Sequence, residues 1–137
     1  MANLLAPIVA LAAWTHMMWF WMYATRIPAM RAARMRLDRD APRGAQMATL
    51  PPAVRWKADN YNHLMEQPTV FYAVAIVAAL ADPDGTNQAL AWAYVGLRVA
   101  HSLVQSLVNN IMLRFSVFAL SSLVLMALTV RVGLVVF

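Results

Sequence analysis

Apolar residues occupy four long stretches of the chain, separated by one long basic segment and shorter polar ones. Three stretches approach or exceed the about 20 residues that cross a bilayer, and the second does so only if its polar lead-in is helical. We therefore predict an all-α membrane protein, a single four-helix transmembrane bundle over residues 1–137. The expected helices lie at about 4–25, 53–80, 87–113 and 115–136, and a basic loop spans 26–52.

The composition agrees with a membrane location, since 62% of residues are hydrophobic and 12% are charged. The chain has no cysteine, which excludes a disulfide, a thiolate metal site and a cysteine nucleophile. We predict no metal site, and any thiol chemistry must come from a bound ligand. Met1 to Leu5 lacks a basic region, so we expect the first helix to be retained rather than cleaved as a signal peptide.

Charge is concentrated before the second helix. From Arg26 to Lys57 there are eight basic residues against two acidic ones, a net charge of +6, whereas the loop after the second helix carries Asp82 and Asp84. The positive-inside bias then places the basic loop in the cytoplasm and both termini outside. Beside a bilayer, we interpret the basic residues as a topology signal that contacts anionic lipid, and we predict no nucleic-acid partner.

Polar side chains recur at helical spacing on two of the apolar segments. They are Asp59, Asn62, His63 and Glu66 on the second helix, and Arg98, His101, Gln105 and Asn109 on the third. Ionisable groups inside a membrane are costly and indicate a functional site. The two faces are complementary in charge, so we expect Glu66 and Arg98 to be buried as a pair. Such a pair can also serve packing alone.

Arg114 is expected at the cytoplasmic end of the third helix, with Asn110 one turn before it and no carboxylate nearby in sequence. An arginine in that position can bind an anionic ligand or stabilise a developing thiolate. It can equally reach lipid phosphate from the helix end. A haem held by His16 and His101 is less favoured, because no second histidine pair and no attachment cysteine accompany them.

Prolines and capping residues set the expected limits of the helices. Pro28 should close the first helix region, and Pro68 should kink the second helix by removing one backbone hydrogen bond. Thr86 or Asn87 can cap the third helix.

The run Asn62-His63-Leu64-Met65-Glu66-Gln67-Pro68 resembles the Asn-x-x-Glu signature of the membrane-associated proteins in eicosanoid and glutathione metabolism, the MAPEG family. Leu97-Arg98-Val99-Ala100-His101, followed by Arg114, is similar to the third-helix pattern of that family. The resemblance covers nearly the whole chain and implies a homotrimer of four-helix subunits. Each of its three interfacial sites would open toward the cytoplasm and bind glutathione, and a bacterial-type member would lie in the inner membrane.

The resemblance also implies roles for individual residues. Arg114 would be the catalytic residue that stabilises the glutathione thiolate for attack on an apolar electrophile or lipid peroxide. Glu66 would match the helix-two glutamate of the family, and Arg98 would match a structural arginine. We predict that the cofactor contacts a set of polar residues, namely Arg26, Asn62, His63, Glu66, Arg98, His101, Gln105 and Asn110. His63 stands at the signature asparagine of the family. A second reading stays open, in which a non-catalytic trimer binds lipid, quinone, another apolar molecule or a larger membrane complex.

Overall fold

The computed structural model describes residues 2–137, so Met1 of the predicted domain lies outside the described residues. The described chain is helical and contains no strand. The prediction of an all-α membrane bundle is confirmed. The five long helices are α1 (Ala2–Ala32), α2 (Pro52–His63), α3 (Pro68–Ala81), α4 (Gly85–Leu107) and α5 (Ile111–Val136), and a short 3-10 helix covers Met47–Thr49.

Three segments are long and apolar enough to cross a membrane: Asn3–Ala32, Pro52–Ala81 and Ile111–Val136. The second segment contains both α2 and α3, which therefore act as two halves of one span. Helix α4 has 23 residues, and at 1.5 Å per residue it is about 35 Å long, also sufficient to cross the bilayer. Its polar side chains point into the protein rather than toward lipid. The molecule is an integral membrane protein with three apolar spanning segments and a further helix, α4, of spanning length.

Helix α1 is longer than predicted. The expected end near residue 25 was wrong, because the helix continues through Pro28 to Ala32. Pro28 is exposed, so the backbone carbonyl that its missing N–H leaves free need not be satisfied inside the protein. The chain leaves the helix through Arg34, whose φ of 50° is left-handed, and the N–H of Met35 donates to the carbonyl of Met30 at 3.1 Å.

The second span is broken rather than kinked. Helix α2 ends at His63, and Pro68 is the first residue of α3, where a missing N–H costs nothing. Gln67 holds the break in place: its Nε2 donates to Ser122 Oγ at 2.8 Å, and its Oε1 accepts from the Tyr94 hydroxyl at 3.2 Å. Hydrogen bonds from two other helices therefore fix the angle between the two halves of the span.

The connection between α4 and α5 also lies earlier than predicted. Helix α4 ends at Leu107 instead of near residue 113, and α5 begins at Ile111 instead of residue 115. Asn109 adopts a left-handed φ of 51°, which asparagine tolerates better than most residues. Asn110 then caps α5, accepting from the N–H of Leu113 at 3.0 Å. Arg114 consequently lies in the first turn of α5 rather than at the end of the third span.

A cluster of polar groups lies at the end of the bundle that contains the α3–α4 turn, opposite the α4–α5 connection. Asp84, rather than Thr86 or Asn87, stands at the N-cap position of α4. The buried Asn87 donates to Asp82 Oδ2 at 2.8 Å and accepts from Arg131 Nε at 2.9 Å. Arg131 also pairs with Asp84 at 2.9 Å. These contacts tie the α3–α4 turn to the end of α5.

The apolar core is formed mainly by side chains of α1, α3, α4 and α5. Four alanines on α3 and α4 are buried, and small side chains let membrane helices approach closely. They are Ala75, Ala78, Ala79 and Ala91. Phe71 stacks on Tyr94 with ring centroids 4.6 Å apart. The interior around α2 and the C-terminal half of α4 is polar.

Candidate functional site

One face of α4 carries the polar interior. Five of its side chains are at most 5% exposed: Arg98, His101, Ser102, Gln105 and Ser106. The spacing of three and four residues keeps them on one stripe, which packs against α1, α2 and α5. Each has at least one buried polar atom with no hydrogen-bond partner among residues 2–137. Since buried polar groups normally have partners, this stripe is the least satisfied region of the described chain.

Arg98 meets His63 rather than Glu66. Its Nη2 lies 2.8 Å from His63 Nδ1, and Nε and Nη1 have no partner within the described residues. Glu66 is exposed, in the break between α2 and α3, and forms no ion pair in the described part of the chain. The expected buried Glu66–Arg98 pair was therefore wrong for a single chain. The turn that ends α2 carries the carboxylate away from α4.

His63, His101 and Arg114 share a pocket. The two imidazole rings stack with centroids 4.8 Å apart, and Phe118 packs edge-on against His63 at 5.2 Å. The pocket has a volume of about 200 Å³, and Ile111 and Phe115 complete its lining. The structure thus brings two predicted ligand residues together with the predicted catalytic arginine, although they come from three different helices.

Arg114 has a neutral partner. Its Nη1 donates to Asn109 Oδ1 at 2.7 Å, and no carboxylate pairs with it in residues 2–137. Asn110, which we predict to contact a cofactor, caps α5 with its side-chain oxygen in this structure. The full positive charge of the guanidinium therefore remains available at the pocket.

Other predicted site residues lie elsewhere. Asn62 and Arg26 line a second, larger pocket of about 430 Å³ between the basic loop and α2. Two further arginines, Arg43 and Arg55, and the carboxylate of Asp59 also line it. Gln105 is buried in the α4 stripe and does not line either pocket. The predicted ligands are thus divided between two pockets and a buried stripe.

Sequence reasoning missed three buried polar residues whose side chains have polar atoms without a hydrogen-bond partner among the described residues: Asn60, Ser102 and Ser106. Asn60 is fully buried, and neither its Nδ2 nor its Oδ1 has a partner among the described residues. The residues that α2 and its C-cap turn into the bundle include Lys57, Asn60 and Leu64. The predicted face with the carboxylates of Asp59 and Glu66 therefore points outward. The apolar residue at Leu64, four positions after Asn60, was the available signal.

His16 does not join this arrangement. It is exposed and lines a separate groove with Trp19 and Tyr61, whereas His101 is buried against His63. The described geometry offers no support for a haem held by these two histidines.

The fold and the site define a class: a small integral membrane bundle with a polar core and an arginine-containing pocket at one end. The family model described as the MAPEG family matches residues 4–134, nearly the whole chain. The chain belongs to the MAPEG family. Searches of curated proteins and of solved structures returned no match.

Proposed function

We propose that the protein binds glutathione and joins it through its sulfur to apolar electrophiles, or uses it to reduce lipid peroxides. The observation that carries this proposal is the contact of Arg114 with neutral Asn109, which leaves a cation free beside an aromatic pocket. A free thiol has a pKa of about 8.5 and is mostly protonated at neutral pH. A guanidinium beside it favours the thiolate, which is the nucleophile.

The second pocket suits the charged ends of glutathione. Arg26, Arg43 and Arg55 converge there, and arginines bind carboxylates through paired hydrogen bonds. Asp59 and Asn62 in the same lining suit the ammonium group of the tripeptide. We propose that the peptide part lies in this pocket while its sulfur reaches an Arg114.

The two pockets would form one site across a subunit boundary in a homotrimer. Asp59, Asn62 and Glu66 are exposed on the single chain, and polar groups facing lipid are unfavourable. A neighbouring copy would cover them and supply its own Arg114 pocket. Native mass spectrometry in mild detergent tests this assembly, and a monomer would contradict it.

A second function is favoured by the lining of the Arg114 pocket. Ile111, Phe115 and Phe118 make it largely apolar, with one arginine and two imidazoles as polar groups. An apolar slot with a few polar groups is typical of a lipid or quinone site. In this reading the trimer is a non-catalytic binder of lipid, quinone or a partner membrane complex.

Turnover of the purified protein separates the two functions. Wild type should conjugate glutathione to an apolar electrophile or reduce a lipid hydroperoxide, and Arg114→Leu should lose most of this activity while assembling normally. Arg39→Leu is a matched control, since the Arg39 side chain is 93% exposed and belongs to neither pocket lining. Absence of turnover in wild type, together with lipid binding that depends on Arg114, would favour the binder.

A further inference from the structure

The contact between Arg98 and His63 determines which nitrogen of His63 carries a proton. Arg98 Nη2 lies 2.8 Å from His63 Nδ1. A guanidinium can only donate hydrogen bonds, so Nδ1 must accept. A neutral His63 ring then carries its proton on Nε2. Because Arg98 is fully buried on α4, this tautomer is built into the packing of the span.

The protonated nitrogen is available at the pocket. His63 Nε2 makes no hydrogen bond in residues 2–137 and is not among the buried polar atoms, so it is accessible. The ring lines the same pocket as Arg114. Its plane is held between His101, stacked at 4.8 Å, and Phe118, edge-on at 5.2 Å. The pocket therefore combines a fixed cation with a fixed neutral N–H donor.

The cation and the neutral N–H donor would have different roles when the glutathione thiolate adds to an acceptor. The guanidinium of Arg114 suits the thiolate, while a neutral N–H suits an oxygen that gains negative charge during the reaction. The remaining lining, Ile111, Phe115 and Phe118, is apolar. An acceptor that fits both features has an apolar body and a single carbonyl oxygen.

Resting on the glutathione function proposed above, we infer that His63 Nε2–H donates a hydrogen bond to the carbonyl oxygen of an apolar α,β-unsaturated ketone or aldehyde. The thiolate sulfur forms a bond to the β-carbon, and the electron pair of the C=C bond moves so that the oxygen becomes an enolate. Water then protonates the α-carbon, and the thiol proton has already passed to water. No oxidant or reductant is required.

Arg98 is a positioning residue in this scheme. It touches neither the acceptor nor the sulfur, and it acts by holding His63 in the Nε2–H tautomer. Its guanidinium is fully buried and has no carboxylate partner in the described residues, where the imidazole of His63 is the side chain that it contacts by a hydrogen bond.

The tautomer can be measured without any turnover. The chain has three histidines, so nitrogen-15 labelling of histidine gives a short spectrum, and His63→Gln identifies the signals of His63. We expect a neutral Nε2–H ring with Nδ1 as acceptor. A proton on Nδ1, in a neutral or a charged ring, would overturn the inference. This measurement uses wild-type protein and does not depend on a variant that folds poorly.

Kinetics with two acceptors test the role of the N–H. One acceptor is an apolar enone, and the other is a benzyl halide, whose halide leaves without forming an oxyanion. His63→Phe should lower kcat/KM for the enone by about 10²-fold, as removal of one oxyanion donor does, and change the halide reaction little. His63→Gln, which retains an N–H donor, should recover part of the enone rate. His16→Phe is the matched control, because His16 is exposed and lines neither pocket.

The outcomes separate this inference from the function on which it rests. Equal losses for both acceptors in His63→Phe, or no loss for either, would overturn the role of His63 while glutathione binding persists. If calorimetry shows that wild type binds no glutathione, the proposed function fails first and the inference falls with it.

Discussion

Replacing Gln67 by leucine tests whether the break between α2 and α3 is held by hydrogen bonds. Gln67 donates to Ser122 on α5 and accepts from the hydroxyl of Tyr94 on α4. Leucine removes both bonds at nearly constant volume. Interhelical hydrogen bonds in membranes contribute about 0.6 kcal/mol each on average. Leaving the buried Tyr94 hydroxyl without an acceptor costs about 1 to 3 kcal/mol. That penalty already includes the lost Tyr94 bond, and the lost Ser122 bond adds about 0.6 kcal/mol, so we expect a total loss of about 1.6 to 3.6 kcal/mol.

The assay is equilibrium unfolding in mixed micelles, followed by the fluorescence of the five tryptophans. Gln88→Leu is the matched control, because Gln88 is half-buried and its side chain makes no hydrogen bond in the described residues. Tyr94→Phe completes a double-mutant cycle with Gln67→Leu. A coupling energy near zero, or equal losses for Gln67→Leu and Gln88→Leu, would refute the reasoning.

Two further predictions concern orientation and the opposite end of the bundle. The chain has no native cysteine, so cysteines placed singly at Ala45 and Gly85 should be labelled from opposite sides of the membrane, with Ala45 cytoplasmic; labelling from one side contradicts this topology. Arg131→Met should lower the free energy of unfolding by about 1.5 to 3 kcal/mol, because buried Asn87 loses a charged donor. Asp84→Asn should cost less than about 1 kcal/mol, since this half-exposed ion pair is solvated. If Arg131→Met and Asp84→Asn lower the free energy of unfolding equally, Asn87 is not the important partner of Arg131.

The fold was predictable from the sequence because length and hydropathy act over whole segments. Four apolar stretches dictate four spans whatever their exact limits. The limits themselves depend on local geometry that periodicity does not report. Pro28 is tolerated inside α1, whereas Pro68 starts a new helix, and the same residue type therefore gave opposite outcomes. The difference is that Gln67, just before Pro68, anchors the break between α2 and α3 to two other helices.

The candidate site was predictable only in part. Arg98 and His101 were placed on one buried face by their spacing, and the structure has them there. The partner of Arg98 was not predictable, because the break after His63 rotates Glu66 outward and leaves the imidazole at the contact. Spacing along an assumed continuous helix cannot anticipate such a rotation. The contacts that the proposed homotrimer would make are likewise absent from the periodicity of one chain.

Calorimetric titration of glutathione into the purified wild-type protein, with a parallel scan of thiolate absorbance, tests the central claim most directly. The claim is that the free cation of Arg114 receives the sulfur of glutathione. We predict saturable heat and a thiolate band for wild type, both retained in Arg39→Leu, and loss of the thiolate band in Arg114→Leu. Wild-type protein that releases no heat at millimolar glutathione, or an Arg114→Leu variant with an unchanged thiolate band, would contradict it.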